Sequence, residues 1–182
     1  MFIQTEETPN PDTIKFLPGQ PVTGQGMADF KSLDDTGPSI LARNIFGING
    51  VGGVLLGPDF VSVSKQSDLE WNDAFKTQIM AVIMDHFTSG LPALEKPMPK
   101  KAEHDSEVVK QIVAVLVDYV TPYVSQHGGH IDFHDFDEDS GVVYLSMQGA
   151  CAGCPSSTAT LKMGIENMLQ QYVPEVAMVE AV

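Results

Sequence analysis

The sequence predicts an α+β protein: two small α+β domains joined by a proline-rich linker. Three observations predict it. The chain has 182 residues, 43% apolar and 19% charged, ordinary globular composition that suits one core or two small ones. The stretch Leu91-Pro-Ala-Leu-Glu-Lys-Pro-Met-Pro-Lys-Lys-Ala-Glu-His-Asp105 holds three prolines and little apolar periodicity, as a semi-rigid spacer does. On either side of it, short strand-like runs alternate with apolar stripes at helical spacing. The expected division is residues 1–90, a linker at 91–104, and residues 105–182.

The first half reads in order as follows. Phe2–Thr5 and Thr13–Leu17 are strand candidates joined by the turn signal Pro9-Asn10-Pro11-Asp12. Asp29–Ser32 is a third. Ser39–Phe46 reads as a helix with Ile40, Leu41, Asn44 and Ile45 on one mainly apolar face. Gly50–Leu56 and Phe60–Ser64 form a hairpin around Gly57-Pro58-Asp59. Ser67 or Asp68 is placed to cap a helix through Phe87, on which Trp71, Phe75, Ile79, Val82, Ile83 and Phe87 repeat at helical spacing. Gly90 ends it.

The second half predicts the order α-β-β-α. Asp105 or Ser106 caps a helix whose stripe is Val109, Ile112, Val113, Leu116, Val120, Tyr123 and Val124. Pro122 falls inside the stripe and should kink or end it. Gly128-Gly129 breaks the chain. Ile131 and Phe133 start a strand, Asp137-Glu-Asp-Ser-Gly141 turns, and Val142–Met147 is its partner. A cysteine loop follows, then a helix capped by Ser156, Ser157 or Thr158 that runs to about Tyr172 and is stopped by Pro174.

Composition limits the partners. The formal charge is −14, which counts against nucleic acid and against anionic membrane surfaces. No segment reads as the roughly 20 apolar residues of a membrane span. The acidic start Met1-Phe-Ile-Gln-Thr-Glu-Glu7 resembles neither a secretory signal nor an Arg-rich transit peptide, so the expected compartment is a bacterial-type cytoplasm, with a mature organelle form also compatible. Residues 101–182 carry 3 Lys+Arg against 12 Asp+Glu, and residues 1–100 carry 7 against 12.

The chain's two cysteines, Cys151 and Cys154, lie in Gln148-Gly-Ala-Cys-Ala-Gly-Cys-Pro-Ser-Ser-Thr158. The loop is expected to lead from a strand into a helix N-terminus, where free N–H groups and the dipole stabilise thiolates. Small neighbours, Gly149, Ala150, Ala152 and Gly153, suggest a shallow, accessible site. Four chemistries compete. A thioredoxin-like redox pair needs a βαβ setting with parallel strands, which the α-β-β-α order lacks. A zinc site would recruit His127 and His130. Two inert buried thiols would make a poor core in so glycine-rich a loop. A [4Fe–4S] or [2Fe–2S] cluster takes four thiolates; one chain supplies two, and a two-fold dimer supplies four.

At these residues the sequence resembles the carboxy-terminal domain of NifU and the Nfu-type iron–sulfur cluster scaffold or carrier proteins. The matching text is Gly141-Val-Val-Tyr-Leu-Ser-Met-Gln-Gly-Ala-Cys-Ala-Gly-Cys-Pro-Ser-Ser-Thr158, Leu161-Lys-Met-Gly-Ile-Glu-Asn-Met-Leu169 and Tyr172-Val-Pro-Glu-Val176, with Gly128-Gly129 upstream. Phe2-Ile-Gln-Thr-Glu6, Thr8-Pro-Asn-Pro-Asp-Thr-Ile-Lys-Phe-Leu-Pro18 and Ile83-Met-Asp-His-Phe87 resemble the family's amino-terminal domain. The resemblance implies a non-enzyme: a homodimer or higher assembly that binds a [4Fe–4S] cluster, with a [2Fe–2S] form also known in the family. Cys151 and Cys154 of two subunits would hold the cluster. It would come from upstream assembly proteins and pass to apo iron–sulfur proteins. His130 departs from the pattern, since many members have an acid there.

The other motifs read as ordinary. His86 sits near a helix end and His104 in the linker; His127, His130 and His134 read as surface residues. Asp132, Asp135, Asp137, Glu138 and Asp139 lack the central Gly and terminal Glu of a calcium loop. Gly47-Ile-Asn-Gly-Val-Gly-Gly53 lacks the Lys-Ser/Thr ending of a phosphate loop and precedes a strand. The amino-terminal half has no cysteine, and its expected role is partner recognition or regulation.

Overall fold

The computed structural model describes residues 2–24, 26–95, 106–152 and 155–182. The chain divides into two compact units, Met1–Pro99 and Lys100–Val182, each mixing helices and strands.

The first unit is a five-stranded antiparallel sheet with helices. Its elements are β1 (Gln4–Glu7), β2 (Thr13–Leu17), β3 (Ala28–Phe30), α1 (Ile40–Phe46), β4 (Val51–Leu56), β5 (Val61–Lys65) and α2 (Asp73–Thr88), in the sheet order β1-β2-β5-β4-β3. Phe16, Leu56, Val61 and Val63 from the strands meet Leu41, Ile45, Ile79 and Ile83 from the helices. Each such fully buried side chain contributes about 1.5–3 kcal/mol. Gly47 ends α1, so the glycines at 47–53 lead from a helix into β4.

Helix α2 starts later than its apolar stripe suggests. Asn72 is its N-cap, accepting from the Phe75 N–H at 2.9 Å, in place of Ser67 or Asp68. Trp71 stays outside the helix, stacked on Phe75 at 4.9 Å and donating Nε1–H to the Pro11 carbonyl. A tryptophan held from two sides fits the helical spacing without being helical.

Leu91–Glu95, assigned to the linker from composition, packs on the first unit. Ala93 is buried. The Ser39 hydroxyl donates to the Ala93 carbonyl at 2.6 Å, and the Glu95 N–H donates to Pro38 O at 2.9 Å. Prolines do not prevent docking when the neighbouring carbonyls find donors. Residues 96–104 of the expected linker, and the cap candidate Asp105, lie outside the described residues.

The second unit opens with α3 (Glu107–Val115), a π-helical turn (Leu116–Val120) and α4 (Thr121–Gln126) in one helical run. Pro122 explains the turn. It has no N–H, and its ring would crowd the carbonyl four residues back. The Thr121 N–H reaches Leu116 O instead, so the helix widens and continues where a kink or end was expected. By length and composition this run, Glu107–Gln126, is apolar enough to cross a membrane, contrary to the sequence expectation. Its stripe of Ile112, Leu116, Val120 and Val124 packs into the unit's core.

A hairpin of β6 (Gly129–Asp137) and β7 (Val142–Gly149) follows, with a register shift between Phe133 and Asp135. Helix α5 (Pro155–Tyr172) then leads to β8 (Met178–Ala181), which pairs parallel to β7. The order is therefore α-β-β-α-β, one strand more than expected. The added strand turns β7-α5-β8 into a parallel β-α-β unit. Ile131, Leu145, Met147 and Val179 from the sheet meet Ile165 and Leu169 from α5 and the stripe of the first helix. Gly141, at φ +69°, accepts the Ala177 and Met178 N–H groups and fixes the start of β8.

Candidate functional site

The site is built where β7 runs out. Gly149 takes φ +59°, a left-handed conformation that glycine adopts freely. The chain then closes a tight turn. The Cys151 N–H donates to Gln148 O at 3.3 Å and the Ala152 N–H to Gly149 O at 3.0 Å. The Ala150 N–H crosses to Gly128 O at 3.1 Å. From the far side, the Thr158 hydroxyl on α5 donates to Cys151 O at 3.2 Å. The cysteine turn is thus tied to the start of β6 and to the first turns of α5. Thr158, one of three expected caps of α5, and Gly128-Gly129, expected as a chain break, are both contacts of the cysteine turn.

Gly129 does the most to position the sulfur. A methyl group built on it would collide with Cys151 Sγ and lie 3.0 Å from the Cys151 backbone nitrogen. A hydrogen at this position is what lets the thiol fold down onto β6.

Cys151 is not the accessible thiolate that its small neighbours suggested. It is 7% exposed and belongs to the hydrophobic core of the second unit. Burial pushes its thiol up to about 12, against the His130 backbone, which acts in the opposite direction. The physical reason for the difference is position. The residue precedes α5 by several positions and sits in the turn, where Gly129 gives it a place inside. Cys154, the second predicted ligand, lies outside the described residues. Among those described, Cys151 is a free cysteine.

The histidines do not join it. Gly129 and His130 are successive strand residues, so their side chains leave opposite faces of the sheet. Gly129 faces Cys151; His130 pairs through Nε2 with Asp132 Oδ1 at 2.7 Å and lies across from Gln148, whose amide reaches Asp132 at 3.4 Å. His130 Nδ1 is buried with no hydrogen-bond partner among the described residues. His127 meets the Tyr123 ring edge-on. Among the described residues no group of three His, Cys, Asp or Glu side chains is placed to hold a metal, so the zinc arrangement of His127 and His130 with the cysteines is not assembled there. The redox reading changes too. Contrary to the expected α-β-β-α order, a parallel β-α-β setting is present, but a reactive leading thiol needs exposure and a lowered pKa, and Cys151 has neither.

Two family models match the chain: "Scaffold protein Nfu/NifU N terminal" over residues 3–90 and "NifU-like domain" over residues 112–180. The Arabidopsis thaliana NifU-like protein 4, mitochondrial, is 47% identical over 99% of this chain and 65% of its own length. The human NFU1 iron-sulfur cluster scaffold homolog, mitochondrial, is 46% identical over all of this chain and 72% of its own. A solution structure of a NifU-like protein from Saccharomyces cerevisiae is 26% identical, covering 53% of this chain and 86% of that one, with a TM-score of 0.47. The chain spans 65% of the length of the Arabidopsis relative and of a Drosophila erecta one. The names of these three relatives include "mitochondrial", which lends no support to the cytoplasmic expectation.

Proposed function

The chain belongs to the Nfu/NifU family of iron–sulfur cluster scaffold proteins, and from that premise we propose that it holds a [4Fe–4S] cluster between two copies of itself and passes it to apo-proteins. Cys151 and Cys154 of each copy are the ligands. The single observation that carries this is a count: two cysteines per chain, against the four thiolates such a cluster takes. The cluster is cargo here, and the protein is not an enzyme.

The buried thiol is compatible with that cargo. Proton loss from Cys151 is unfavourable because the turn is apolar. Iron can take the place of the proton, since a bound metal cation stabilises the thiolate directly. Burial then keeps the ligand from competing reactions until iron arrives. Loading needs the Gly149–Ala152 turn to open, and the hydrogen bonds from Cys151, Ala152 and Thr158 are those that would break.

Transfer is ligand exchange. An acceptor thiolate forms a bond to an iron as the bond from Cys151 or Cys154 breaks. The departing thiolate takes a proton, and no electron changes hands. Repeating the exchange moves the cluster. A [2Fe–2S] form would use the same four sulfurs. Upstream assembly proteins supply the cluster, and the first unit, without a cysteine, recognises partners or controls access. An organelle form fits this reading as well as a bacterial-type cytoplasmic one.

Anaerobic incubation with iron and sulfide, then metal analysis and Mössbauer spectroscopy, tests the reading. Iron and sulfide in equal amounts, transferable to an apo iron–sulfur protein, are expected. Zinc without sulfide, or a metal-free chain with an active disulfide, would overturn it. Deletion of residues 1–95 should slow transfer to at least some acceptors; unchanged rates with every acceptor would remove the role given to the first unit.

A further inference from the structure

The helix that builds the second unit's core leaves large rings on its other side. Tyr119 and Tyr123, four residues apart and so on one helical face, are 50% and 58% exposed. Tyr119 stacks on Tyr172 at the end of α5, with centroids 5.1 Å apart and planes 19° apart. Tyr123 meets His127 at 4.9 Å and 68°. The helical spacing of Tyr119 and Tyr123 sets these two ring pairs end to end, in a row Tyr172–Tyr119–Tyr123–His127. Single exposed apolar side chains are ordinary, but contiguous ones mark contact surfaces, and tyrosine is enriched at interface cores. The row ends beside the cysteine turn, because His127 is followed by Gly128, which holds Ala150, and by Gly129, which holds Cys151.

Charge selects what the row can meet. Residues 106–182 contain two cations, Lys110 and Lys162, against ten Asp and Glu. Lys110 is paired with Glu107 at 2.6 Å and Lys162 with Glu180 at 3.1 Å. Asp118 adjoins the row. A second copy of this unit would bring the same surplus of acid. Arginine or lysine offered by a different protein would meet uncompensated carboxylates and the faces of tyrosine rings.

We propose that the row Tyr172–Tyr119–Tyr123–His127 docks an apolar, arginine-bearing segment of the protein that receives the cluster, beside the cysteine turn. The identity of the partner as a cluster acceptor rests on the function proposed above; the docking chemistry does not. The segment lays its apolar side chains along the rings and its guanidinium groups against Asp118 and the ring faces, which brings the acceptor's thiolates to the turn.

The test uses the full chain labelled with 3-fluorotyrosine. Its four tyrosines are the row's three and Tyr144, so fluorine NMR reports on the row with an internal control. The probe is a synthetic amphipathic peptide with leucine on one face and arginine on the other. The expected result is that the Tyr119, Tyr123 and Tyr172 signals shift on titration while Tyr144 stays, and that Tyr119→Ser with Tyr123→Ser weakens binding by about tenfold or more. Equal binding of the same peptide with glutamate for arginine would overturn it, as would no shift or an equal shift of all four signals. Movement of the three signals with protein concentration alone would assign the row to a second copy. Movement with phosphatidylglycerol vesicles but not with peptide would assign it to a membrane surface. The wild-type titration decides even if the double variant does not fold. Loss of peptide binding with iron and sulfide uptake intact would sink this inference alone, and the converse would sink the cluster reading alone.

Discussion

Gly129 and Cys151 share one space: a methyl group on Gly129 would sit where the Cys151 sulfur lies. The Cys151 sulfur and the residue beneath it are therefore one feature. Gly129→Ala should push the sulfur out of its seat and strain the Cys151 backbone, destabilising the second unit by about 1–3 kcal/mol. Denaturation should show the loss, and a thiol reagent should reach Cys151 sooner than in the wild type.

Cys151 should resist alkylation in the cluster-free protein near neutral pH. Its folded pKa, at about 12, lies above the ordinary 9.0, so the folded state keeps a proton that the unfolded state gives up. The contribution to stability is full below pH 9 and lost as pH rises from 9 towards 12. Cys151→Ala should remove that part of the alkaline decline. Equal alkaline unfolding profiles for the two proteins would contradict the burial argument.

His86 should tie the first unit's stability to mild acid. Its ring is 3% exposed, beside Phe87, and its pKa is lowered, chiefly by burial, against the backbone of Pro92 and Leu91 and the charge of Asp85. The unfolded state binds the proton first as pH falls below 6.5, so stability is full above that value and lost below it. Between about pH 7.5 and 5.5 the melting temperature of the wild type should fall more than that of His86→Phe; equal declines would contradict the burial argument.

Ser39 does two jobs, accepting from the Ala42 N–H at 3.0 Å as the cap of α1 and donating to Ala93 O. Ser39→Ala should cost about 1–2 kcal/mol. It should also speed amide exchange at Glu95, whose N–H is held by the adjacent Pro38. Faster exchange at Ala42 with Glu95 unaffected would show that the Leu91–Glu95 segment is held by other contacts.

Cysteine substitution separates ligand from scaffold. Cys151→Ser and Cys154→Ser should each abolish cluster uptake. His130→Ala should not, because His130 leaves the sheet on the face away from the Cys151 sulfur. Iron and sulfide per chain measure both, and loss of iron in His130→Ala would restore the histidine as a ligand.

Much of the fold is legible from residue spacing. The stripe Val109, Ile112, Val113, Leu116, Val120, Tyr123 and Val124 predicts a core helix, and all of it but Tyr123, which is 58% exposed, packs on the core. The hairpins follow from alternation and turn residues. Less legible are features decided at long range. β8 is four residues with an exposed Met178; its pairing with β7 depends on a helix between them, which no local pattern records. The start of α2 depends on Trp71 being held by Pro11 and Phe75. At the site, the spacing of Cys151 and Cys154 points to thiol or metal chemistry without choosing between them, and small neighbours suggest exposure. Whether small residues leave a sulfur open or let it sink depends on what lies opposite, and Gly129 is twenty-two residues away in sequence.

The most direct measurement is native mass spectrometry of the reconstituted full chain, kept free of oxygen. One cluster of about four irons and four sulfides on two chains is the expected mass, with Cys151→Ser chains excluded from the loaded species. A loaded single chain, or two chains each carrying its own iron and sulfide, would contradict the proposal that two cysteine turns complete one site.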